Sequence, residues 1–378
     1  MFTSTHVLTY ERNSILPTKK YRVAVVGGAG TWGRFYLRAY ASHPDCEIVA
    51  LVDRARDRRG AFAERYGVET VFDTVDELFA KEVPDIVSII LPVGHNPETV
   101  IACAEAGVKA VSCEKPIAVE LSEADEMVHV CRERGTAFGC GTGYWDAPYL
   151  LEIADWIRAG NIGQLTGAAI PGGLPTEVSG GGCVQLTIMR LLTGMEVEWA
   201  EGWALPPQAG WMPPVEFAAV ETDSPAYGRL GLSGGIVCEI VKPPTEQKGF
   251  CPASVTGENG RVWTSSPRPI LIQGQGAAST PVQPEFLDSP RKDGFTSAIE
   301  RLMRAVDTGE DAVCSGHDYR QALEIAIALK QSAHHGHQRI SLPLEDRSLK
   351  IYPHPYRLKG GDVAGWTSIG YTGPPEVT

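Results

Sequence analysis

The stretch RVAVVGGAGTWGRFYLRAYASH, residues 22–43, decides the fold. It opens on RVAVVG (22–27), a short unbroken apolar run of the kind a buried parallel strand carries. It closes on TWGRFYLRAYASH (31–43), whose apolar residues are spaced for a helix. Between the two, Gly28-Ala29-Gly30-Thr31-Trp32-Gly33 fits G-x-G-x-x-G. In that pattern Gly28 permits the tight turn, Gly30 lets backbone approach a ligand closely, and Gly33 lets helix and strand touch. Thr31 and Trp32 open the helix. Its free N–H groups and positive dipole end suit a pyrophosphate. A glycine-rich turn also occurs in α/β proteins that bind no nucleotide, so the context decides.

The context is strand–helix alternation. EIVALVD (47–53) is a second strand, and ARDRRGAFAERYG is a second helix that Gly67 stops. DIVSIIL (85–91), KAVSCE (109–114) and TAFGCG (136–141) continue the strands, with helices expected at 97–106 and 122–134 between them. Ser122, followed by Asp125 and Glu126, reads as the cap of the latter. Such alternation implies a doubly wound parallel sheet over about residues 21–142. Asp53 ends the second strand 20 residues after Gly33, where a carboxylate accepts hydrogen bonds from an adenosine ribose and repels a 2′-phosphate. NAD is therefore the expected cofactor. Arg54 leaves NADP open, because a guanidinium there can hold a 2′-phosphate or stack on adenine.

Beyond residue 142 the texture changes. A helix is expected at 148–159. LTGAAI, EVEWAEGWAL, EFAAVE, AYGRLGL, GIVCEIV, ASVTGENGRVW and PILIQG then read as strands split by Gly, Pro and Asn turns. They imply a largely antiparallel open sheet, followed by helices near 293–307 and 318–334. The sequence thus divides into an N-terminal arm (1–20), a dinucleotide-binding domain (21–142), a substrate and oligomerisation domain (143–340) and a C-terminal arm (341–378) rich in Pro, Gly and Tyr. That last arm reads as a segment packed on another domain or subunit.

Composition narrows the class. The 378 residues, 43% of them apolar, fit about two globular domains, and the net charge of −12 argues against nucleic acid or an anionic membrane surface as partner. No membrane span is expected, and Glu11, Arg12 and Asn13 interrupt any signal-like stretch. A cytoplasmic protein is expected. Its nine scattered cysteines form no C-x-x-C pair and read as buried, reduced thiols, and no metal site is expected. HHGH (334–337) lies at a helix end, where histidines complement the dipole.

KAVSCE ends in Glu114-Lys115-Pro116, at the carboxyl edge of the sheet, where ligands bind in such folds. Lys115 there would sit near the nicotinamide, hydrogen-bond a substrate hydroxyl and help withdraw its proton. A lysine before a proline is otherwise an ordinary solvated loop residue. VVGGAGTWG, LPVGHNP (91–97), AEAGVKAVSCEKP (104–116) and IGQLTG (162–167) together resemble the Gfo/Idh/MocA oxidoreductases. The resemblance implies an N-terminal Rossmann domain, a C-terminal α+β domain with an open, mostly antiparallel sheet, NAD(P), a sugar- or cyclitol-like substrate, and a homodimer or homotetramer. It carries Gly28, Gly30, Gly33 and Asp53 over as cofactor residues, with Leu91, Pro92 and His95 at the same edge. Glu114 falls near the nicotinamide ribose, and Lys115 becomes the catalytic lysine.

One stretch departs from that pattern. In GGGCVQLTIMRLLTG (180–194) the family's H-x-x-D positions fall on Val184 and Thr187, and no His, Asp or Glu lies between Glu177 and Glu196. The helix is either core, with Leu186, Met189 and Leu192 at helical spacing, or a substrate wall using Gln185 and Thr187. Candidate replacements for the missing acid–base group are His95, which otherwise caps helix 97–106, and Tyr144. Trp145, Asp146 and Tyr149 share the GYWDAPY stretch with Tyr144, and Trp211 is a further aromatic able to stack on a sugar. His317 reads as structural, or as a cap with Asp318. The functional expectation is hydride transfer between NAD(P) and a carbohydrate or cyclitol carbon. Two alternatives remain open: an epimerase, lyase or glycosidase that oxidises its substrate transiently, and a non-catalytic dinucleotide- or sugar-binding protein.

Overall fold

The computed structural model describes residues 21–141, 147–207, 221–244 and 251–378. The first sheet is parallel, with strands β1 (Tyr21–Val26), β2 (Cys46–Val52), β3 (Val71–Phe72), β4 (Ile86–Ile89), β5 (Ala110–Cys113) and β6 (Ala137–Cys140) in the order β3-β2-β1-β4-β5-β6. The order reverses between β1 and β4, which opens a crevice at their carboxyl ends. Helices α1 (Gly33–Ser42), α2 (Arg56–Tyr66), α3 (Val75–Lys81), α4 (Asn96–Ala106) and α5 (Leu121–Arg134) connect the strands. Gly67 and Gly107 end α2 and α4 at φ 66° and 88°, a left-handed turn that glycine adopts without strain.

The start of α5 differs from the expectation. Glu120 is the cap and shares a capping box with Glu123, so Ser122 lies inside the first turn. Asp125 instead receives Arg320 at 2.6 Å and Arg347 at 2.7 Å, which ties α5 to the second half of the chain.

The second layer begins with α6 (Leu150–Arg158) and β7 (Leu165–Ile170). A π-helical turn, Val178–Gly182, leads into α7 (Cys183–Thr193). The remaining strands are β8 (Val197–Ala204), β9 (Ala226–Leu232), β10 (Ile236–Ile240), β11 (Ser254–Gly257), β12 (Gly260–Trp263), β13 (Ile270–Gln273), β14 (Thr280–Pro281) and β15 (Ile340–Ser341). They form one sheet ordered β14-β13-β12-β11-β7-β10-β9-β8-β15, antiparallel except where β10 runs parallel to β7. Most of the stretch EFAAVE lies outside the described residues. One face of the sheet packs on α7 and on α9 (Gly316–His334). On the other, Val237, Val241 and Ile270 stay exposed.

The chain then returns to the first sheet. Helix α8 (Gly294–Thr308) lays Ile299, Leu302 and Met303 into the core that β1, α1 and α2 build. A sequence boundary near 142 is therefore not a boundary in space. After β15 the C-terminal segment threads between the layers. Leu349 O and Tyr352 O accept Leu121 N and Asp223 N at 3.1 and 2.9 Å. It ends in two short helices, α10 (Pro355–Lys359) and α11 (Gly361–Ala364), and a 3-10 turn, Trp366–Ile369. All nine cysteines are free thiols. Among the described residues no helix is long and apolar enough to cross a membrane.

Candidate active site

A cavity of about 810 Å³ opens at the crevice. That volume lies in the range of small-molecule and cofactor sites. The loop after β1 forms its floor. The left-handed residue is Gly27 (φ 77°), not Gly28, and a Cβ on it would stand 2.1 Å from Ile90 O. Gly28 packs on Leu51, and a Cβ on Gly33 would lie 2.4 Å from Gly27 O. The tight turn therefore belongs to the glycine before the motif, and Gly33 makes the close helix–strand approach. Gly30, Thr31 and Trp32 line the cavity. Helix α1 carries no side-chain cap, and the buried Thr31 Oγ has no partner among the described residues. A helix N-terminus without a side-chain cap and an orphaned hydroxyl beside bare glycine backbone fit a pyrophosphate.

Asp53 lines the cavity at the end of β2. Its carboxylate accepts Ala29 N at 2.9 Å and Ala55 N at 2.8 Å, so it also braces the glycine loop. Burial raises its pKa, against the pull of those two N–H groups. Carboxylate oxygens keep lone pairs for a ribose hydroxyl after such bonds. Arg54, Leu91, Pro92 and His95 line the same cavity. His95 is the N-cap residue of α4, but its ring holds Glu98 at 2.8 Å and makes no side-chain cap bond.

Glu114 and Lys115 follow β5 into the cavity wall. Tyr36 donates to Glu114 at 2.5 Å, and burial beside that carboxylate keeps the phenol protonated. The Nζ of Lys115 lies 4.0 Å from Glu114. Lys115 is only 9% exposed, and its pKa is lowered, first by burial and then by the Arg357 cation. Asn96 Nδ2 clamps the strand end, donating to Glu114 O at 3.0 Å and to Pro116 O at 2.9 Å.

The opposite wall comes from the C-terminal segment. Tyr356, Arg357, Lys359, Asp362, Trp366 and Tyr371 all line the cavity. Arg357 is paired with the buried Glu177 and donates to Lys115 O at 3.4 Å. Glu177 stands just before the π-helical turn, which the buried Asp223 holds through Val178 N, Ser179 N and the Ser179 hydroxyl at 3.0, 2.7 and 2.6 Å. Burial pushes Asp223 up to about 6.

Helix α7 begins beside this chemistry, since Cys183 lies close enough to Lys115 and Arg357 to feel their charge. Gln185 and Thr187 are buried, and neither lines the cavity. Thr187 gives its hydroxyl to Val184 O at 3.1 Å, within its own helix. Arg190 of the RLLTG ending binds Asp318 and Glu196 at 2.9 and 2.8 Å, and His317 leans on Glu196 at 3.2 Å. Tyr149 bonds Ser289 O at 2.9 Å. His337 stacks on Trp203 with ring centroids 4.7 Å apart. Tyr144, Trp145, Asp146 and Trp211 lie outside the described residues. Sequence reasoning missed Gly27, Glu177 as a site residue, and the whole C-terminal wall. Asn96 had a signal, since it stands inside LPVGHNP. The wall had none, because YPHPYRLKGGD lacks periodicity.

Residues 21–142 match the model of the Gfo/Idh/MocA oxidoreductase family, described by its NAD-binding Rossmann fold. The chain is 26% identical over 330 residues to the myo-inositol 2-dehydrogenase of Thermotoga maritima, covering 82% of this chain and 96% of that one. The crystal structure of an aldose-aldose oxidoreductase from Caulobacter crescentus, complexed with glycerol, superposes with a TM-score of 0.67 at 21% identity, over 86% of this chain and all of the other. A levoglucosan dehydrogenase in complex with NADH and levoglucosan does so at 0.68 and 18%, again over 86% of this chain and all of the other.

Proposed function

The chain belongs to the Gfo/Idh/MocA oxidoreductase family, and from that premise we propose that it is an NAD(P)-dependent dehydrogenase or reductase acting on a hydroxyl or keto carbon of a sugar, sugar derivative or cyclitol. The observation that carries the reading is Lys115. It is buried in the cavity wall at the carboxyl end of β5, one residue from Glu114 and across from the glycine loop. A dinucleotide held there would supply the hydride acceptor for oxidation and the hydride donor for reduction. Gly30, Thr31 and the start of α1 would hold its pyrophosphate, Asp53 its adenosine ribose, and Glu114 the ribose nearer Lys115. In oxidation, neutral Lys115 Nζ accepts the hydrogen bond of the substrate hydroxyl and then its proton. In reduction it returns that proton to the carbonyl oxygen. Its lowered pKa brings the neutral form nearer to working pH. Arg357, Asn96 and the Glu114 carboxylate keep the lysine in place.

The myo-inositol and levoglucosan specificities of the two named relatives support a polyhydroxylated ring as substrate. The exposed Val237, Val241 and Ile270 on the open face of the second sheet support a homodimer or homotetramer. Nine free cysteines support a cytoplasmic location. The direct test is binding of NADH and NADPH by fluorescence, followed by nicotinamide absorbance with a panel of aldoses, anhydrosugars and cyclitols. Binding together with substrate-dependent reduction of the oxidised cofactor supports the reading. Binding without turnover on any panel member would favour the non-catalytic alternative. Product without net absorbance change would favour transient oxidation.

A further inference from the structure

The end of the cavity beside Asp53 is closed by the last part of the chain. Arg58 of α2 donates to Ala29 O at 3.3 Å and is held by Asp362 at 2.7 Å, while its guanidinium lies 5.5 Å from the Trp366 ring. Asp362 is close enough to Asp53 that its charge raises the Asp53 pKa. Two carboxylates and one guanidinium therefore converge where the adenosine ribose of a dinucleotide ends. Two of the neighbouring cations are also committed. Arg56 is paired with Asp73, and Arg59 holds Asp73 along with the carbonyls of Asp53 and Phe72. Arg54 and Lys359 are exposed at the rim. Val363, 72% exposed, and Trp366 give this end of the cavity an apolar wall.

We propose that α11 and the turn after it form the second wall of the adenosine pocket, and that Asp362 makes the site select a ribose with a free 2′-hydroxyl over one with a 2′-phosphate. A 2′-phosphate would bring two negative charges against Asp53 and Asp362, and Asp362 already holds the guanidinium best placed to receive them. A free 2′-hydroxyl needs only an acceptor, which Asp53 supplies. Asp362 is thus a specificity-determining residue supplied from about 300 positions beyond the strand whose end it faces. The assignment rests on the oxidoreductase reading for the identity of the ligand.

The experiment measures dissociation constants of NADH and NADPH by fluorescence for the full chain, for Asp362→Asn and for the double variant Arg58→Gln/Asp362→Asn. The side chain of Asp362 is 55% exposed, so Asp362→Asn should fold, and thermal unfolding checks that it does. The wild type should prefer NADH. Asp362→Asn should improve NADPH affinity relative to NADH by about tenfold, the scale of one charge-assisted hydrogen bond. The double variant should lose that gain, because the freed arginine is what receives the phosphate. An unchanged affinity ratio in a folded Asp362→Asn protein overturns the inference, as does a wild type that prefers NADPH; both leave the oxidoreductase reading intact. A wild type that binds neither dinucleotide overturns both.

Discussion

The two walls that flank Lys115 obey different rules. The wall built by β1, β2 and β5 is made of backbone: glycines too crowded for a Cβ, a start of α1 without a side-chain cap, and strand ends braced by Asp53 and Asn96. The wall across from it is made of side chains gathered from distant places. Glu177 comes from before the π-helical turn, and Arg357, Tyr356 and Asp362 come from the C-terminal segment. Helix α7, where the family pattern would put an acid–base pair, is buried and carries none. The first wall follows a pattern because backbone geometry tolerates few sequences. The second has been rebuilt because a charge can reach the same point from any element that passes nearby.

Substitutions can break that contrast, and the largest effect is expected at the residue both walls share. Lys115→Ala should lower turnover by roughly 10²–10⁴ while leaving dinucleotide affinity nearly unchanged, since only proton handling is lost. Steady-state rates and fluorescence titration check the two halves separately. In the wild type, the pH–rate profile for oxidation should rise through a value below the ordinary lysine range of about 10.4, because the neutral amine is the working base.

Glu177→Gln should come next. It leaves Arg357 buried without its counter-charge, at a cost of about 3–5 kcal/mol in a denaturant titration. Glu177 favours the charged lysine, so the oxidation limb should also move to lower pH in this variant. A limb that stays put would mean that the pair holds the fold without acting on Lys115. Val184→His tests whether α7 can be returned to chemistry. Val184 is 4% exposed, and an imidazole forced there should cost about 1–3 kcal/mol and restore no rate. An increase in turnover would show that α7 does reach the substrate. The smallest effect is expected at His95. It faces Glu98 with 44% of its side chain exposed, and His95→Gln should change kcat by about twofold or less, where a general acid–base role would cost at least ~10².

The strand–helix alternation, the glycine loop, Asp53 and the EKP corner were legible in residues 21–142, because each follows from a local pattern. Apolar runs make buried strands, left-handed turns take glycine, and ligands meet strand ends. Even there the exact turn residue was not legible. Two glycines stand side by side and neither has room for a Cβ, but only Gly27 takes the left-handed turn, at φ 77°. Helix 180–194 was legible as a helix without acid–base groups, but not as one whose Gln185 and Thr187 lie outside the cavity lining.

By itself, then, the sequence determined a doubly wound dinucleotide domain, a second layer of mostly antiparallel strands, and a lysine at the carboxyl edge. All three are set by hydrophobic period and turn chemistry within about ten residues of each position. Only the tertiary structure decided that α8 belongs to the first core, that Glu177 and Arg357 meet beside Lys115, and that the last residues wall the cavity. Those contacts join positions more than a hundred residues apart. No local period records them, because their energy comes from burial and charge pairing that exist only once the chain has closed on itself.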